Sequence, residues 1–275
     1  MTTSPQTHGR RPPNVLTIAG SDPSGGAGIQ ADLKTFSALG AFGTSVITAL
    51  TAQSTRGVTG VHAVAPEFIT AQLDTLLADV RIDAVKIGMV ASPEVAKVIA
   101  DALDRHRPGP VVLDPVMVAK GGDPLVDADA MRGVRETLLP RARVITPNRH
   151  EAAALLGIAT PTDVATLRAA ARALAELGAD VVVVKGGGLA GEESVDVLWA
   201  EGDTEVLTAP RVATRNVHGT GCTLSSAIAA LIARGADPRA AVREAKAYVT
   251  EAIARADVLE VGGGHGPVHH FHRWW

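Results

Sequence analysis

The sequence predicts an α/β protein in which helices cover both faces of a doubly wound, mostly parallel sheet. Short apolar runs rich in β-branched residues recur along the chain, and Lys86 is the only charged residue within them. Segments with helical periodicity lie between these runs, an alternation typical of a three-layer α/β/α architecture. No linker-like stretch divides the chain, so we expect a single domain over residues 14–272.

The predicted strands are six apolar runs and a later hairpin. The runs cover residues 15–18, 46–50, 84–87, 111–113, 144–146 and 181–184. The hairpin pairs residues 194–199 with residues 204–207, and Glu201-Gly202-Asp203 forms its turn. Because ligands bind at the carboxyl ends of the strands in such sheets, functional residues are expected directly after these runs.

Helical periodicity predicts a helix after most of the strands. Apolar spacing begins one helix near residue 29 and a second near residue 69. Ser92, followed by Pro93 and Glu94, is typical of a helix N-terminus. Four further helices are predicted at residues 130–139, 163–177, 223–233 and 238–255.

Composition excludes several classes of protein. The 275 residues are 46% hydrophobic, which is enough for a substantial core, and the formal charge of −3 gives no reason to expect a nucleic-acid partner. A single cysteine cannot form an intrachain disulfide, and no apolar stretch is long enough for a signal peptide or a membrane span. We therefore expect a cytoplasmic protein without a membrane partner. Residues 1–13 are polar and proline-containing, and are predicted to be a disordered leader.

The first glycine-rich loop, residues 20–28, follows the first strand. Residues 26–31 fit the G-x-G-x-x-A dinucleotide motif, but residues 35–65 contain no acidic side chain to hold a ribose. Two alternatives to a phosphate-binding role of this loop stay open. One is an NADP site that uses Arg56, and the other is that the glycines only allow the helix to pack closely against the sheet. Packing alone does not require the polar side chains of this loop, which are Ser21, Asp22 and Ser24.

The second glycine-rich loop, residues 216–223, leads directly into an apolar helix. Gly219, Thr220 and Gly221 bring consecutive backbone N–H groups to a helix start, where they form an anion hole for a transferring phosphoryl group. Cys222 follows in the first turn, where the helix dipole is expected to lower the pKa of the thiol. The alternative interpretation is a small buried cysteine.

Polar residues follow three other strands. Asp114 either caps a turn or faces phosphates, and Lys185, beside three glycines, is predicted to contact phosphate. Glu151 either caps the helix that it begins or holds Mg²⁺ through water. Four histidines in residues 265–272 lack cysteine or carboxylate partners at ligand spacing, so no dedicated metal site is expected there.

Seven motifs in order resemble the ribokinase-like superfamily and, within it, the bacterial hydroxymethylpyrimidine/phosphomethylpyrimidine kinases. The resemblance covers nearly the whole chain, from residue 14 to residue 271. The motifs are IAGSDPSGGAGIQADLKT (18–35), TALTAQ (48–53), KIGM (86–89), LDPVMVAKGGD (113–123), TPNRHEA (146–152), HGTGCTLSSAIA (218–229) and HGPVHHFH (265–272).

The resemblance implies a kinase that uses ATP and Mg²⁺ and is commonly a homodimer. Such an enzyme phosphorylates 4-amino-5-hydroxymethyl-2-methylpyrimidine and then its monophosphate, for thiamine biosynthesis. By the same resemblance, Asp32 and Gln53 hydrogen-bond the aminopyrimidine, and Cys222 is the general base. The resemblance also implies that the pyrimidine pocket is lined by Gly20, Ala27, Met89 and Val116. ATP phosphates and Mg²⁺ are implied to be held by Asp114, Asn148, Glu151, Lys185 and Thr214.

The chain departs from this family at three positions. Gly188 stands where histidine is usual, Ala213 where aspartate is common and Gly121 where serine is frequent. The first two departures bear on the nucleotide contacts more than on the pyrimidine pocket. Pyridoxal kinase, which shares the fold and the cysteine, is an alternative. A non-catalytic pyrimidine-sensing module is another, although such a module is expected to lose the anion hole or Lys185.

Overall fold

The computed structural model describes residues 11–117 and 127–275. Within these residues the strands are β1 (Asn14–Ala19), β2 (Phe42–Ile47), β3 (Ala49–Ser54), β4 (Gly57–Ala63), β5 (Ala84–Ile87), β6 (Val111–Leu113), β7 (Val144–Ile145), β8 (Val181–Lys185), β9 (Glu193–Ala200) and β10 (Asp203–Pro210). The helices are α1 (Gly28–Ala38), α2 (Pro66–Asp79), α3 (Pro93–His106), α4 (Ala128–Gly133), α5 (Arg149–Leu156), α6 (Val164–Ala175), α7 (Thr220–Ala233) and α8 (Pro238–Ala254).

The main sheet runs in the order β10-β9-β8-β7-β6-β5-β1-β2. The six strands β2, β1, β5, β6, β7 and β8 pair in parallel with their neighbours in this order. Strands β9 and β10 continue the sheet beyond β8 as an antiparallel hairpin. From β1 the chain passes first to β2 on one side and later to β5 on the other, so the sheet is doubly wound with a switch point at β1. This confirms the predicted fold class.

Helices cover both faces of this sheet. Phe36, Ile228 and Tyr248, from α1, α7 and α8, are buried in the core on one face. The core on the other face holds side chains from α2 to α6, among them Ile99 and Leu167. Strands buried on both sides are therefore apolar throughout, which explains why their runs are recognisable in the sequence.

The predicted strand at residues 46–50 is wrong as a single element. Thr48 lies between β2 and β3, where its N–H donates to the Ala19 carbonyl at 3.0 Å and its hydroxyl to the Met89 carbonyl at 2.8 Å. These bonds turn the chain out of the main sheet, and β3 pairs with β4 in a separate antiparallel ribbon. The ribbon extends beside the carboxyl ends of the strands and carries Gln53.

Other differences are smaller. The predicted helix 130–139 is α4 continued by a π-helical turn (Val134–Leu138) and a 3₁₀ turn (Leu139–Arg141). Most of the predicted leader (residues 1–10) and the departure at Gly121 lie outside the described residues. In the part of the chain that the structure describes, no helix combines the length and apolar character needed to cross a bilayer.

Candidate active site

A cavity of about 430 Å³ lies at the carboxyl edge of the sheet, where both glycine-rich loops meet the ends of the strands. Thirteen residues predicted for the site line it: Gly20, Ala27, Gln53, Met89, Asp114, Val116, Asn148, Glu151, Lys185, Gly219, Thr220, Gly221 and Cys222. Two predicted residues, Asp32 and Thr214, do not. The topology thus gathers side chains from five strand ends into one space, as expected for this class of sheet.

A second cavity of about 220 Å³ adjoins the first, and both are lined by Lys185, Thr220 and Gly221. Its apolar lining includes Leu224 and Ile253 from α7 and α8. This cavity combines apolar side chains with charged ones, among them Lys185 and Arg211, and it adjoins the start of α7, a layout suited to a flat apolar group with attached phosphates.

Asp22 holds the first glycine-rich loop in shape. Its carboxylate accepts hydrogen bonds from the backbone N–H groups of Ser24 at 2.8 Å, Gly26 at 3.2 Å and Ala27 at 2.8 Å. Burial raises the pKa of Asp22, but these bonds and His218 outweigh it and lower that pKa to about 2. The carboxylate therefore stays charged and keeps the loop folded beneath the cavity.

The second glycine-rich loop touches the first through backbone atoms. Gly219 has a φ of +77°, and a Cβ there would lie 1.7 Å from the Gly26 carbonyl oxygen, so only glycine fits. His218 Nε2 lies 2.7 Å from Asp22 Oδ2 and 3.4 Å from Gln53 Nε2. His218 thus links the two loops through Asp22, and its ring lies beside Gln53 of the β3–β4 ribbon at the cavity wall.

Cys222 lies in the first turn of α7 and lines the cavity. Burial raises the pKa of its thiol to about 11; Lys86 and the Gly28 N–H lower it, and Asp32 and Asp114 raise it. The predicted lowering of this pKa by the helix dipole is therefore wrong, because desolvation in this position is the larger effect.

Asp32 is not a cavity residue. It is 0% exposed, and its carboxylate accepts hydrogen bonds from Thr17 Oγ1 at 2.6 Å, Ser226 Oγ at 2.6 Å and Lys86 Nζ at 2.9 Å. These partners occupy the carboxylate, so the predicted contact with the substrate is corrected: Asp32 is the buried counter-charge of Lys86. Lys86 is 0% exposed to bulk solvent, and it forms part of the cavity wall.

The opposite wall carries the charges suited to phosphates. Lys185 Nζ lies 2.8 Å from Asp114 Oδ1 and 3.8 Å from Glu151 Oε2. Glu151 also accepts the Asn148 N–H at 2.6 Å, and Asn148 accepts the Glu151 N–H, so the predicted capping role of Glu151 at the start of α5 is confirmed. Burial raises the pKa of Glu151 to about 7, with Lys185 opposing and Asp114 reinforcing the effect.

The donor set on this wall fits Mg²⁺. Among the described residues no group of three or more histidine, cysteine or acidic side chains is arranged to hold a metal ion, and the tail histidines form none. Asp114 and Glu151 nevertheless supply two nearly buried carboxylates in the cavity that Gly219, Thr220 and Gly221 also line. Mg²⁺ is commonly held in this way, by one or two carboxylates, water and the phosphates of the substrate.

Thr214 lies outside both cavities. Its hydroxyl hydrogen-bonds Asp257 and accepts the Asn216 N–H at 3.0 Å, so it shapes the approach to the second loop rather than lining a binding surface. At the departure Gly188, a Cβ would lie 3.2 Å from Arg149 Nε, and both residues line the first cavity.

Five ionisable residues that line the cavity were not predicted for the site: Asp22, Lys86, Arg149, His150 and His218. Two of them left a signal. Lys86 is the only charge in the predicted strands, and Asp22 is a polar residue that loop packing does not require. For Arg149 and His218 nothing in the local pattern separates a cavity residue from an exposed one.

Comparison with known proteins identifies the family. The model of the phosphomethylpyrimidine kinase family matches residues 22–269. The chain belongs to this family. It is 53% identical to the hydroxymethylpyrimidine/phosphomethylpyrimidine kinase of Escherichia coli over 95% of this chain and 98% of that protein, and 56% identical to that of Rhizobium meliloti over the same shares. The predicted family and the prediction of a kinase are confirmed.

Solved structures agree on the fold. A phosphomethylpyrimidine kinase of Clostridium difficile is 43% identical with a TM-score of 0.77, covering 88% of this chain and 99% of that one. The pyridoxal kinase of Staphylococcus aureus, in complex with AMP-PCP and pyridoxal, is 33% identical with a TM-score of 0.88, covering 96% and 95%. The family's fold is thus shared by kinases named for two different substrates.

Proposed function

We propose that the protein uses ATP to phosphorylate 4-amino-5-hydroxymethyl-2-methylpyrimidine and then the resulting monophosphate, which supplies the diphosphate for thiamine biosynthesis. Family membership supports this proposal. The observation that carries it is one cavity lined by Gln53, by the Gly219–Gly221 segment proposed as an anion hole, and by Cys222 in the first turn of α7.

The pyrimidine fits the wall formed by the first loop and the ribbon. The Gln53 amide has both a donor and an acceptor, which matches an amino group beside a ring nitrogen. Met89 and Val116 offer apolar contacts to the ring. A Cβ at Gly20 would lie 2.9 Å from the Met89 methyl carbon, so glycine leaves space at this wall.

The first phosphorylation requires that the substrate hydroxyl attack the γ-phosphorus and lose its proton, whereas in the second a phosphate oxygen of the monophosphate attacks and an anhydride bond forms. We assign the proton acceptor to Cys222, and Lys86, which is held in place by Asp32, favours its thiolate electrostatically. The charge that develops on the transferring group is stabilised by the backbone N–H groups of the anion hole and by Lys185. The bond from the γ-phosphorus to ADP breaks as the new ester bond forms.

ATP is the expected phosphoryl donor, since solved relatives are complexes with ADP or AMP-PCP. We propose that its base enters the second cavity between Leu224 and Ile253. Asp114 and Glu151 would hold Mg²⁺ through water, and Asn148 would face the phosphates. When bound, Mg²⁺ supplies charge neutralisation between phosphate oxygens.

Pyridoxal phosphorylation is the second candidate, because several solved structures with this fold are pyridoxal kinases. A product assay with ATP and Mg²⁺ compares hydroxymethylpyrimidine, its monophosphate and pyridoxal. We expect phosphorylation of both pyrimidines. Phosphorylation of pyridoxal alone would overturn the assignment, and no turnover of any of the three would favour the sensing module.

We further propose a cytoplasmic homodimer. The described surface exposes large apolar side chains on neighbouring elements: Phe42 (63% exposed) at the edge strand β2, Leu50 and Val61 on the ribbon, and Phe68 (62%) on α2. Clustered apolar exposure of this kind marks association surfaces. Light scattering coupled to size exclusion tests the dimer, and a monomer at micromolar concentration would contradict it.

A further inference from the structure

A short segment, residues 264–268, connects the β3–β4 turn with the loop at residues 216–218 and is called the strap here. At its first end the Gly264 N–H donates to Thr55 Oγ1 at 3.1 Å and the His265 N–H to the Thr55 carbonyl at 2.8 Å. Thr55 is the turn residue between β3 and β4, two positions after Gln53. The strap therefore holds the tip of the ribbon that carries Gln53.

At its second end the strap holds the loop that precedes the anion hole. The Gly266 N–H donates to Asn216 Oδ1 at 3.1 Å, and the His218 N–H donates to the Gly266 carbonyl at 3.0 Å. The Val268 N–H returns a bond to the His218 carbonyl at 3.3 Å. His218 is thus fixed through its backbone by the strap, while its side chain faces Asp22 and Gln53.

The strap is anchored beyond these contacts. Val268 is 0% exposed, the His269 N–H donates to the Ala252 carbonyl at 3.0 Å, and the Tyr248 hydroxyl donates to the His270 carbonyl at 2.5 Å. Helix α8, which carries Ala252 and Tyr248, is packed against the sheet. The Val268 end of the strap is therefore firmly anchored to α8. The position of the strap then determines where the ribbon tip and the 216–218 loop lie.

We propose that the strap positions Gln53 and His218 relative to each other and thereby sets the geometry of the pyrimidine wall of the site. The inference rests on the proposed function for the identity of that ligand. Among the described residues, none of the strap lines either cavity, so these residues act by positioning and not by contact. A change at Gly264 is expected to act on the pyrimidine side, because its contact with Thr55 lies on the ribbon, whereas the contacts with loop 216–218 are made by Gly266 and Val268.

The glycines of the strap are required by space. A Cβ at Gly264 would lie 2.0 Å from the Thr55 carbonyl oxygen, a backbone atom that cannot move without moving the ribbon. At the neighbouring Gly263 a Cβ would meet only the guanidinium end of the exposed Arg56, at 3.1 Å, which can swing away. Neither glycine has a positive φ, so alanine is compatible with both backbones. The pair gives a test variant and a matched control.

The experiment measures steady-state KM for hydroxymethylpyrimidine and for ATP in Gly264→Ala and Gly263→Ala. We expect Gly264→Ala to raise the KM for the pyrimidine about tenfold, since small misplacements of binding groups have effects of this order or larger. Its KM for ATP and all constants of Gly263→Ala should stay within about twofold of wild type. Equal increases in both KM values, or no increase in Gly264→Ala, would overturn the proposal.

A second variant covers the case in which Gly264→Ala does not fold. Thr55→Val keeps the shape of the side chain, removes the hydroxyl that accepts the Gly264 N–H, and should raise the same KM by a smaller factor. Hydrogen exchange of the amides in residues 49–63 needs no substrate and should be faster in Gly264→Ala and Thr55→Val than in Gly263→Ala. If the wild type phosphorylates no pyrimidine, the proposed function fails, while unchanged exchange rates would refute the strap separately.

Discussion

Replacing Asp32 by asparagine tests the buried ion pair that supports the site. Asp32 and Lys86 are both 0% exposed, with 2.9 Å between Oδ2 and Nζ. Removing one partner of such a pair leaves the other charge buried and uncompensated, which costs about 3–5 kcal/mol. For a domain of this size that loss lowers Tm by about 10 °C.

Urea unfolding at pH 7 with linear extrapolation measures this loss. Asp101→Asn, which removes the exposed partner of Lys97, is the control, and it should change the free energy of unfolding by less than about 0.5 kcal/mol. The double variant Asp32→Asn/Lys86→Met should lose less free energy of unfolding than the two single variants lose when their losses are added. Additive losses, or an Asp32→Asn protein as stable as the control, would refute the ion-pair reasoning. Direct binding of substrate by Asp32 predicts the opposite pattern, with normal stability and a raised KM.

Two further predictions follow from shifted pKa values. Because the thiol pKa of Cys222 is about 11, its thiolate fraction and the wild-type kcat should rise between pH 7 and 9. Cys222→Ser should have a kcat about 100-fold lower and should not show this rise with pH. A variant with full kcat and an unchanged pH profile excludes the base role. The Asp22 pKa of about 2 lies below its unfolded value of 3.8, so Asp22 stabilises the fold above pH 3.8 and this stabilisation disappears as pH falls through 2. Asp22→Asn should therefore be about 1–2 kcal/mol less stable than wild type at pH 7, and a difference that stays the same near pH 2 would contradict this.

Much of the fold was predictable because strands buried on both faces must be apolar. The runs at residues 84–87 and 111–113 match β5 and β6 from end to end. The error at residues 46–50 has a physical origin: the chain turns at Thr48 through hydrogen bonds to Ala19 and Met89, which are distant in sequence, while hydrophobicity continues across the turn. The β3–β4 ribbon was missed because its residues are mostly half-buried or exposed and show no strand-like apolar run.

The candidate site was predictable where residue type and position at a strand end coincide, as for Asp114 and Lys185, which both line the cavity. It was not predictable where the decisive fact is the direction of a side chain. Nothing in the sequence pairs Asp32 with the strand charge Lys86, and only the packing of α1 and α7 on the sheet brings the two side chains together. His218 is similar, since its role depends on Asp22, 196 positions earlier.

That separation along the chain has a consequence for synthesis. The first glycine-rich loop is synthesised early. Two features that complete the site come from the last quarter of the chain: the backbone of Gly219, which contacts Gly26, and the strap, which holds His218. A partly synthesised chain can form strands and helices without having any place for substrate. Because a ligand stabilises only molecules able to bind it, substrate in the cell protects finished chains and gives no protection to truncated ones.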